Sequence, residues 1–255
     1  MDWSQYSISA MRLEARFGDR VVPAFCERPK NIWAMIAAAA ARNPDGEALV
    51  CGERRMTWHE VAQQSARIAA GLKNMGLRSG DRVALLLGNR IEFALTMFAA
   101  AHAGLVTVLL STRQQKPEIA YVLTDCGAKL LIHEATHADR IPDARDVPDL
   151  KHRISVGVVG SSPFAALLDH APATPAAVGE EDTAMILYTS GTTGKPKGAM
   201  LAHCNVIHSA MIFVSSMQLT AADRSIAAVP LGHVTGVVAN IMTMVRCAGT
   251  LIIMP

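Results

Sequence analysis

Between Arg82 and Ile132 the apolar positions fall into short unbroken runs that alternate with longer helix-like stretches. Arg82–Leu87 reads as strand, Arg90–His102 as helix, Leu105–Leu109 as strand, Pro117–Cys126 as helix and Lys129–Ile132 as strand. Apolar runs without period-two alternation are what strands look like when helices cover both faces of their sheet. Regular alternation of strand and helix implies parallel strands joined by helical crossovers. The predicted fold class is therefore α/β, with doubly wound, mostly parallel sheets and helices on both faces.

The same reading extends outward. Asn31–Arg42 is an alanine-rich helix stopped by the Asn43-Pro44-Asp45-Gly46 turn cluster, and Ala48–Cys51 is a short strand. Thr57 and Glu60 have capping-box spacing, which starts a helix that Gly76 stops. Residues 138–175 hold five prolines and one strand, Ile154–Val159, and read as a loop-rich connection. Beyond it follow strand Thr183–Tyr188, a glycine-rich loop, a short strand near Ala199–Leu201, helix Asn205–Met217 and strand Ser225–Val229. An apolar helix after Gly236 and a strand over Thr250–Met254 complete the order. Three regions are expected: an N-terminal extension (1–30), a first α/β subdomain (31–175), and the start of a second (176–255).

Composition narrows the function classes. Hydrophobic residues make up 51% of the 255 and charged residues 18%, as in a well-buried globular chain. Lys plus Arg is 24 against 22 Asp plus Glu, and a net charge of +2 argues against electrostatic capture of nucleic acid. The five cysteines are scattered with no C-x-x-C pair, which fits reduced thiols in the cytoplasm. Ile91–Leu110 is long and apolar enough to raise a membrane span, but Glu92, His102 and Gly104 favour a buried helix, a turn and a strand.

The chemistry concentrates in Tyr188–Gly198, YTSGTTGKPKG, between an apolar strand and a helix. Glycines let backbone amides approach phosphate oxygens, hydroxyls donate further hydrogen bonds, and lysines add positive charge. An ordinary surface turn has a similar composition. The string is not a Walker loop, because Thr189 stands where the first glycine would be and Pro196 follows the lysine.

The full string instead resembles the signature loop of the adenylate-forming superfamily, which includes acyl-CoA and aryl-CoA synthetases, luciferases and peptide-synthetase adenylation domains. Pro230-Leu231-Gly232-His233-Val234-Thr235-Gly236 resembles the family's proline-leucine-aromatic-histidine motif, with Gly232 at the usual aromatic position. Met56–Glu60, Gly80–Val83, Ala103-Gly104 and Glu118–Leu123 resemble its early blocks, so the likeness runs from about Trp33 to the end. In those blocks a structural reading is preferred, with Tyr121 in the core.

The resemblance implies part of the large N-terminal domain of an acyl-CoA synthetase-like fold. It implies that a carboxylate attacks the α-phosphate of MgATP to give acyl-AMP, and that coenzyme A then displaces AMP. The partners implied are ATP, magnesium arriving with it, coenzyme A, and a fatty or other hydrophobic acid. An aryl acid, peptide-synthetase chemistry, and nucleotide binding without turnover stand as alternatives. Thr189, Ser190, Gly191, Thr192, Thr193 and Gly194 are assigned to phosphate, with Lys195 and Lys197 as electrostatic support. Thr192 and Lys195 carry the catalytic assignment, and His233, Gly232 and Gly236 the acid pocket. Family members continue past the point matched by Pro255, so the 255 residues are expected to be an inactive fragment. Their closing apolar strand is expected to leave an exposed edge that promotes self-association.

One rival signature competes. His133-Glu134-Ala135-Thr136-His137 spells the zincin pattern, which requires a continuous helix. Here it follows the strand-like Leu130-Leu131-Ile132 and soon meets Pro142, so it reads as a loop coincidence.

Overall fold

A computed structural model describes residues 10–157, 163–189 and 195–255. The chain opens with a hairpin of β1 (Met11–Arg16) and β2 (Arg20–Phe25), then α1 (Ile32–Arg42), β3 (Glu47–Cys51), β4 (Arg54–Thr57) and α2 (Trp58–Asn74). The predicted alternation follows as β5 (Arg82–Leu86), α3 (Ile91–Ala103), β6 (Val106–Leu109), α4 (Lys116–Asp125) and β7 (Leu130–Glu134). Next come β8 (His152–Val156), β9 (Thr183–Thr189), β10 (Lys197–Ala202), α5 (His203–Met217) and β11 (Arg224–Ala227). A π-helical stretch, Thr235–Met242, runs into α6 (Thr243–Cys247), and β12 (Thr250–Ile253) closes the order.

Local chemistry sets several of these starts. At α2 the Glu60 amide donates to Thr57 Oγ1 at 3.2 Å and the Thr57 amide to Glu60 Oε2 at 2.8 Å, so both halves of the capping box form. At α1 the Asn31 carboxamide accepts the Ala34 amide at 2.8 Å.

Six strands form one sheet in the order β10-β9-β6-β5-β7-β8, parallel except where β10 returns antiparallel to β9. Four more form a second sheet, β11-β12-β3-β4, in which β4 is antiparallel to β3. Val83 and Leu85 of β5 face a large core shared with α1, α2, α3 and the second sheet. Their neighbours Ala84 and Leu86 face a smaller core built with α4. The six-stranded sheet is thus covered on both faces, which is why its strands lack period-two alternation. Helix α3 is buried along its whole length, and no helix among the described residues is long and apolar enough to cross a membrane.

Sheet membership does not follow a cut near residue 175. β9 and β10 complete the sheet begun by β5–β8, whereas β3 and β4 pair with β12 from the far end of the chain. The closing strand also differs from its expectation: β12 lies between β11 and β3, hydrogen-bonded on both sides, and the edges of its sheet are β11 and β4. Within the expected extension, the hairpin is tied down by Arg28, which bridges Glu14 and Glu180 at 2.8 Å each. The Glu14 carboxyl is held down to about 2 by hydrogen bonds from Arg28 and then Arg12.

Candidate functional site

Parallel strands expose their carboxyl ends along one edge of a sheet, where α/β proteins commonly bind ligands. Here that edge carries Gly88 and Asn89 after β5, Leu110 and Ser111 after β6, Glu134 at the end of β7 and Thr189 at the end of β9. Both sequence motifs reach it. Thr189 pairs with Lys197 across β9 and β10, so the two roots of the glycine-rich loop lie side by side. Ser190, Gly191, Thr192, Thr193 and Gly194 lie outside the described residues.

Lys195 and Lys197 are exposed. Among the described residues, lysine ion pairs are made by Lys116 with Asp143 and by Lys129 with Asp149, so Lys195 and Lys197 keep uncompensated charge. Lys195 Nζ lies 5.8 Å from the centroid of the Tyr121 ring, within cation–π range. The Tyr121 hydroxyl donates to the Pro196 carbonyl at 3.1 Å, so Tyr121, half-buried and packed against the smaller core as expected, also reaches the residue after Lys195. One helical turn on, Asp125 accepts a hydrogen bond from the Tyr188 hydroxyl. Burial, and then that carboxylate, push the Tyr188 phenol far above its ordinary pKa, so it stays a donor. Gly198 completes the arrangement, since a Cβ there would stand 2.9 Å from Ile186 Cγ2 and 3.1 Å from Tyr188 Cζ. Tyr121, Asp125 and Tyr188 were not among the expected site residues. The sequence signal for them is slight: a tyrosine and an aspartate four apart on one helix face.

The second motif is held against the same edge. Asn89 accepts the Leu231 amide at 2.8 Å and donates to the carbonyls of Ala227 at 3.2 Å and Val229 at 3.1 Å. Gly232 passes close enough to the end of β6 that a Cβ would stand 3.2 Å from the Leu110 carbonyl oxygen. Gly236 is tighter, with a Cβ position only 2.4 Å from the Pro230 oxygen. β6 is the neighbour of β9 on one side and of β5 on the other, so the end of β6 lies between the loop roots and the 230–236 segment.

His233 is exposed, and its Nδ1 lies 3.3 Å from the Thr235 amide and 3.2 Å from the Thr235 hydroxyl. A cavity of about 280 Å³ opens beside this segment, walled by Leu201, Val206, Phe213, Val234 and Val238 among others. His233, Gly232 and Gly236 do not line it. The helix after Gly236 is wider than expected: Thr243 Oγ1 donates to the Val238 carbonyl five residues back at 3.0 Å, in keeping with π geometry.

The zincin pattern is divided between elements. His133 lies within β7 with its ring buried, whereas His137 lies in a 3₁₀ helix over Ala135–Arg140, hydrogen-bonded to Arg140. Glu134 accepts the Gly88 amide at 2.7 Å and lies 3.8 Å from Arg90. No group of three or more His, Cys, Asp or Glu side chains among the described residues could hold a metal ion.

The family model for AMP-binding enzymes matches residues 36–255. A long-chain-fatty-acid–CoA ligase of Mycobacterium tuberculosis, FadD13, is 35% identical over 230 residues, covering 89% of this chain and 45% of that protein. A feruloyl-CoA synthase of an Amycolatopsis species is 36% identical over 194 residues, covering 76% of this chain and 38% of its own length. The solved N-terminal domain of FACL13 from M. tuberculosis superimposes with a TM-score of 0.80 at 32% identity, covering 88% of this chain and 56% of that one. The chain thus spans less than half the length of these curated relatives. With its glycine-rich string rooted at the carboxyl edge of a parallel sheet and the family model matched across both motifs, this chain belongs to the AMP-binding, adenylate-forming family of acyl- and aryl-CoA ligases.

Proposed function

We propose that this chain supplies the phosphate-binding and acid-binding parts of an ATP-dependent acid–thiol ligase. A carboxylate oxygen attacks the α-phosphorus of ATP, the bond to the β-phosphate oxygen breaks, and acyl-AMP and pyrophosphate result. The coenzyme A thiol then attacks the acyl carbon and AMP leaves. The observation that carries this reading is that Lys195 and Lys197, which make no ion pair among the described residues, stand where β10 begins beside the end of β9. A triphosphate supplies the missing anion. Thr189, Ser190, Gly191, Thr192, Thr193 and Gly194 would donate to its oxygens, and magnesium carried by the nucleotide would share the charge. The loop's contribution is alignment and charge stabilisation, without covalent chemistry.

The acid is proposed to be fatty or otherwise hydrophobic, supported by the apolar side chains Val206, Phe213, Val234 and Val238 around the 280 Å³ cavity. An aryl acid is the second choice, supported by the feruloyl-CoA synthase relative. His233 would bound the entrance with its exposed ring. For these 255 residues taken alone, nucleotide binding without turnover is the second reading, because they span less than half of those relatives.

ATP–pyrophosphate exchange measured across a panel of fatty and aryl acids tests the proposal. Exchange that depends on added acid supports the ligase, whereas nucleotide binding without exchange supports the second reading. Thr192→Ala with Lys195→Ala is expected to weaken MgATP use by about 1.5–3 kcal/mol for each charge-assisted bond lost, while the fold persists. A folded double variant that uses MgATP unchanged would refute the assignment of this loop.

A further inference from the structure

Two side chains on one face of α4 reach the two flanks of the glycine-rich string. Tyr121 donates to the Pro196 carbonyl at 3.1 Å and presents its ring to Lys195 Nζ at 5.8 Å. Asp125, one turn further on, accepts from the Tyr188 hydroxyl, next in sequence to Thr189. The roots are themselves paired, Lys197 against Thr189, and Gly198 lets the Tyr188 ring lie against the backbone of β10. Lys195 is therefore fixed from two directions, through the carbonyl of the residue after it and through its own ammonium. A flexible lysine stem otherwise loses much rotamer freedom on meeting a ligand. Holding it beside an aromatic ring removes part of that loss beforehand.

We infer that Tyr121 and Asp125 are positioning residues for polyphosphate, with α4 acting as the support that sets where Lys195 and Thr189 stand. Neither is expected to touch the nucleotide. The inference rests on the phosphate-site reading and adds that the site's affinity is set partly from a helix outside the motif. Because the contact to Lys195 runs through a ring face, Tyr121→Phe keeps that half and loses only the bond to Pro196, whereas Tyr121→Leu loses both.

Calorimetric titration of the 255-residue chain with inorganic pyrophosphate and with MgATP tests this. Tyr121→Phe should weaken both ligands by about threefold to tenfold, as expected for one neutral hydrogen bond, and Tyr121→Leu should weaken them further. Asp125→Ala should weaken them to a degree similar to Tyr121→Phe. A merely structural tyrosine is distinguished by a double-mutant cycle: with Lys195→Ala already in place, Tyr121→Leu should cost little additional affinity. Unchanged affinity in the single variants, or losses that simply add in the cycle, would overturn the inference while leaving the phosphate site intact. Failure of the unmodified chain to bind either ligand would overturn the phosphate-site reading and the inference with it.

Discussion

Asn89 Oδ1 accepts the Leu231 amide at 2.8 Å, so a side chain following the central strand of one sheet holds the segment that leaves β11 of the other. The same carboxamide donates to the carbonyls of Ala227 and Val229. One planar group thus meets one amide and two carbonyls where the chain leaves β11, and the Ala227 carbonyl also accepts the Met254 amide at 3.3 Å.

Asn89→Ala should therefore lower the unfolding free energy by about 1–3 kcal/mol, read from urea denaturation. Asn89→Asp keeps the acceptor for Leu231 but sets a carboxylate oxygen against the carbonyls of Ala227 and Val229, so it should cost at least as much as the alanine variant. An alanine variant as stable as the parent would mean that water replaces all three bonds without loss.

The two glycines of the second motif should respond differently to one methyl group. At Gly236 a Cβ meets backbone, the Pro230 oxygen at 2.4 Å and Leu231 Cα at 2.7 Å, and backbone cannot rotate aside. Gly236→Ala is expected to cost about 1–3 kcal/mol or prevent folding, and Gly232→Ala, whose nearest atom is at 3.2 Å, to cost clearly less. Equal midpoints for the two variants in urea would contradict this order.

Acid should destabilise the fold through two buried histidines. His102 and His203 are each pushed down to about 4, in both cases first by burial, with Lys73 adding repulsion at His102. The folded state binds these protons more weakly than the unfolded chain does. Stability is therefore fully present above the unfolded value near 6.5 and is lost as pH falls toward 4. Each group contributes at most roughly 3 kcal/mol to that loss. Thermal midpoints recorded between neutral pH and pH 4 should fall steeply. His203→Gln should flatten the slope, even though it also disturbs the Ile32 amide that donates to His203 Nδ1 at 3.2 Å.

Local signals carried most of the element order. Thr57 and Glu60 announce a helix because both bonds of the capping box close within one turn. The strands from β5 to β7 were readable because burial on both faces leaves uninterrupted apolar runs. Long-range pairing was not readable. The hairpin at the start alternates charged with apolar residues, and its charges are satisfied by Arg28 and by Glu180, which stands 152 residues beyond that arginine. The division of strands between the sheets is likewise a property of pairing between distant segments, and no local pattern encodes it. At the candidate site, the motif string singled out the segment between β9 and β10, but nothing in the sequence around Tyr121 says that its hydroxyl meets Pro196.

The insertion of β12 between β11 and β3 also sets an order of events during synthesis. Thr250 Oγ1 bonds the Glu47 carbonyl at 2.9 Å across 203 residues, and β3 gains its parallel neighbour only when that last strand arrives. A chain emerging from the ribosome amino end first can complete the segment β5–α3–β6–α4–β7 from nearby sequence. It must hold the β3–β4 hairpin with one side unpaired until residues near 250 appear. Until then the edge of β3 at Leu49 and Val50 keeps its ladder groups unpaired, the kind of edge that invites pairing with another chain.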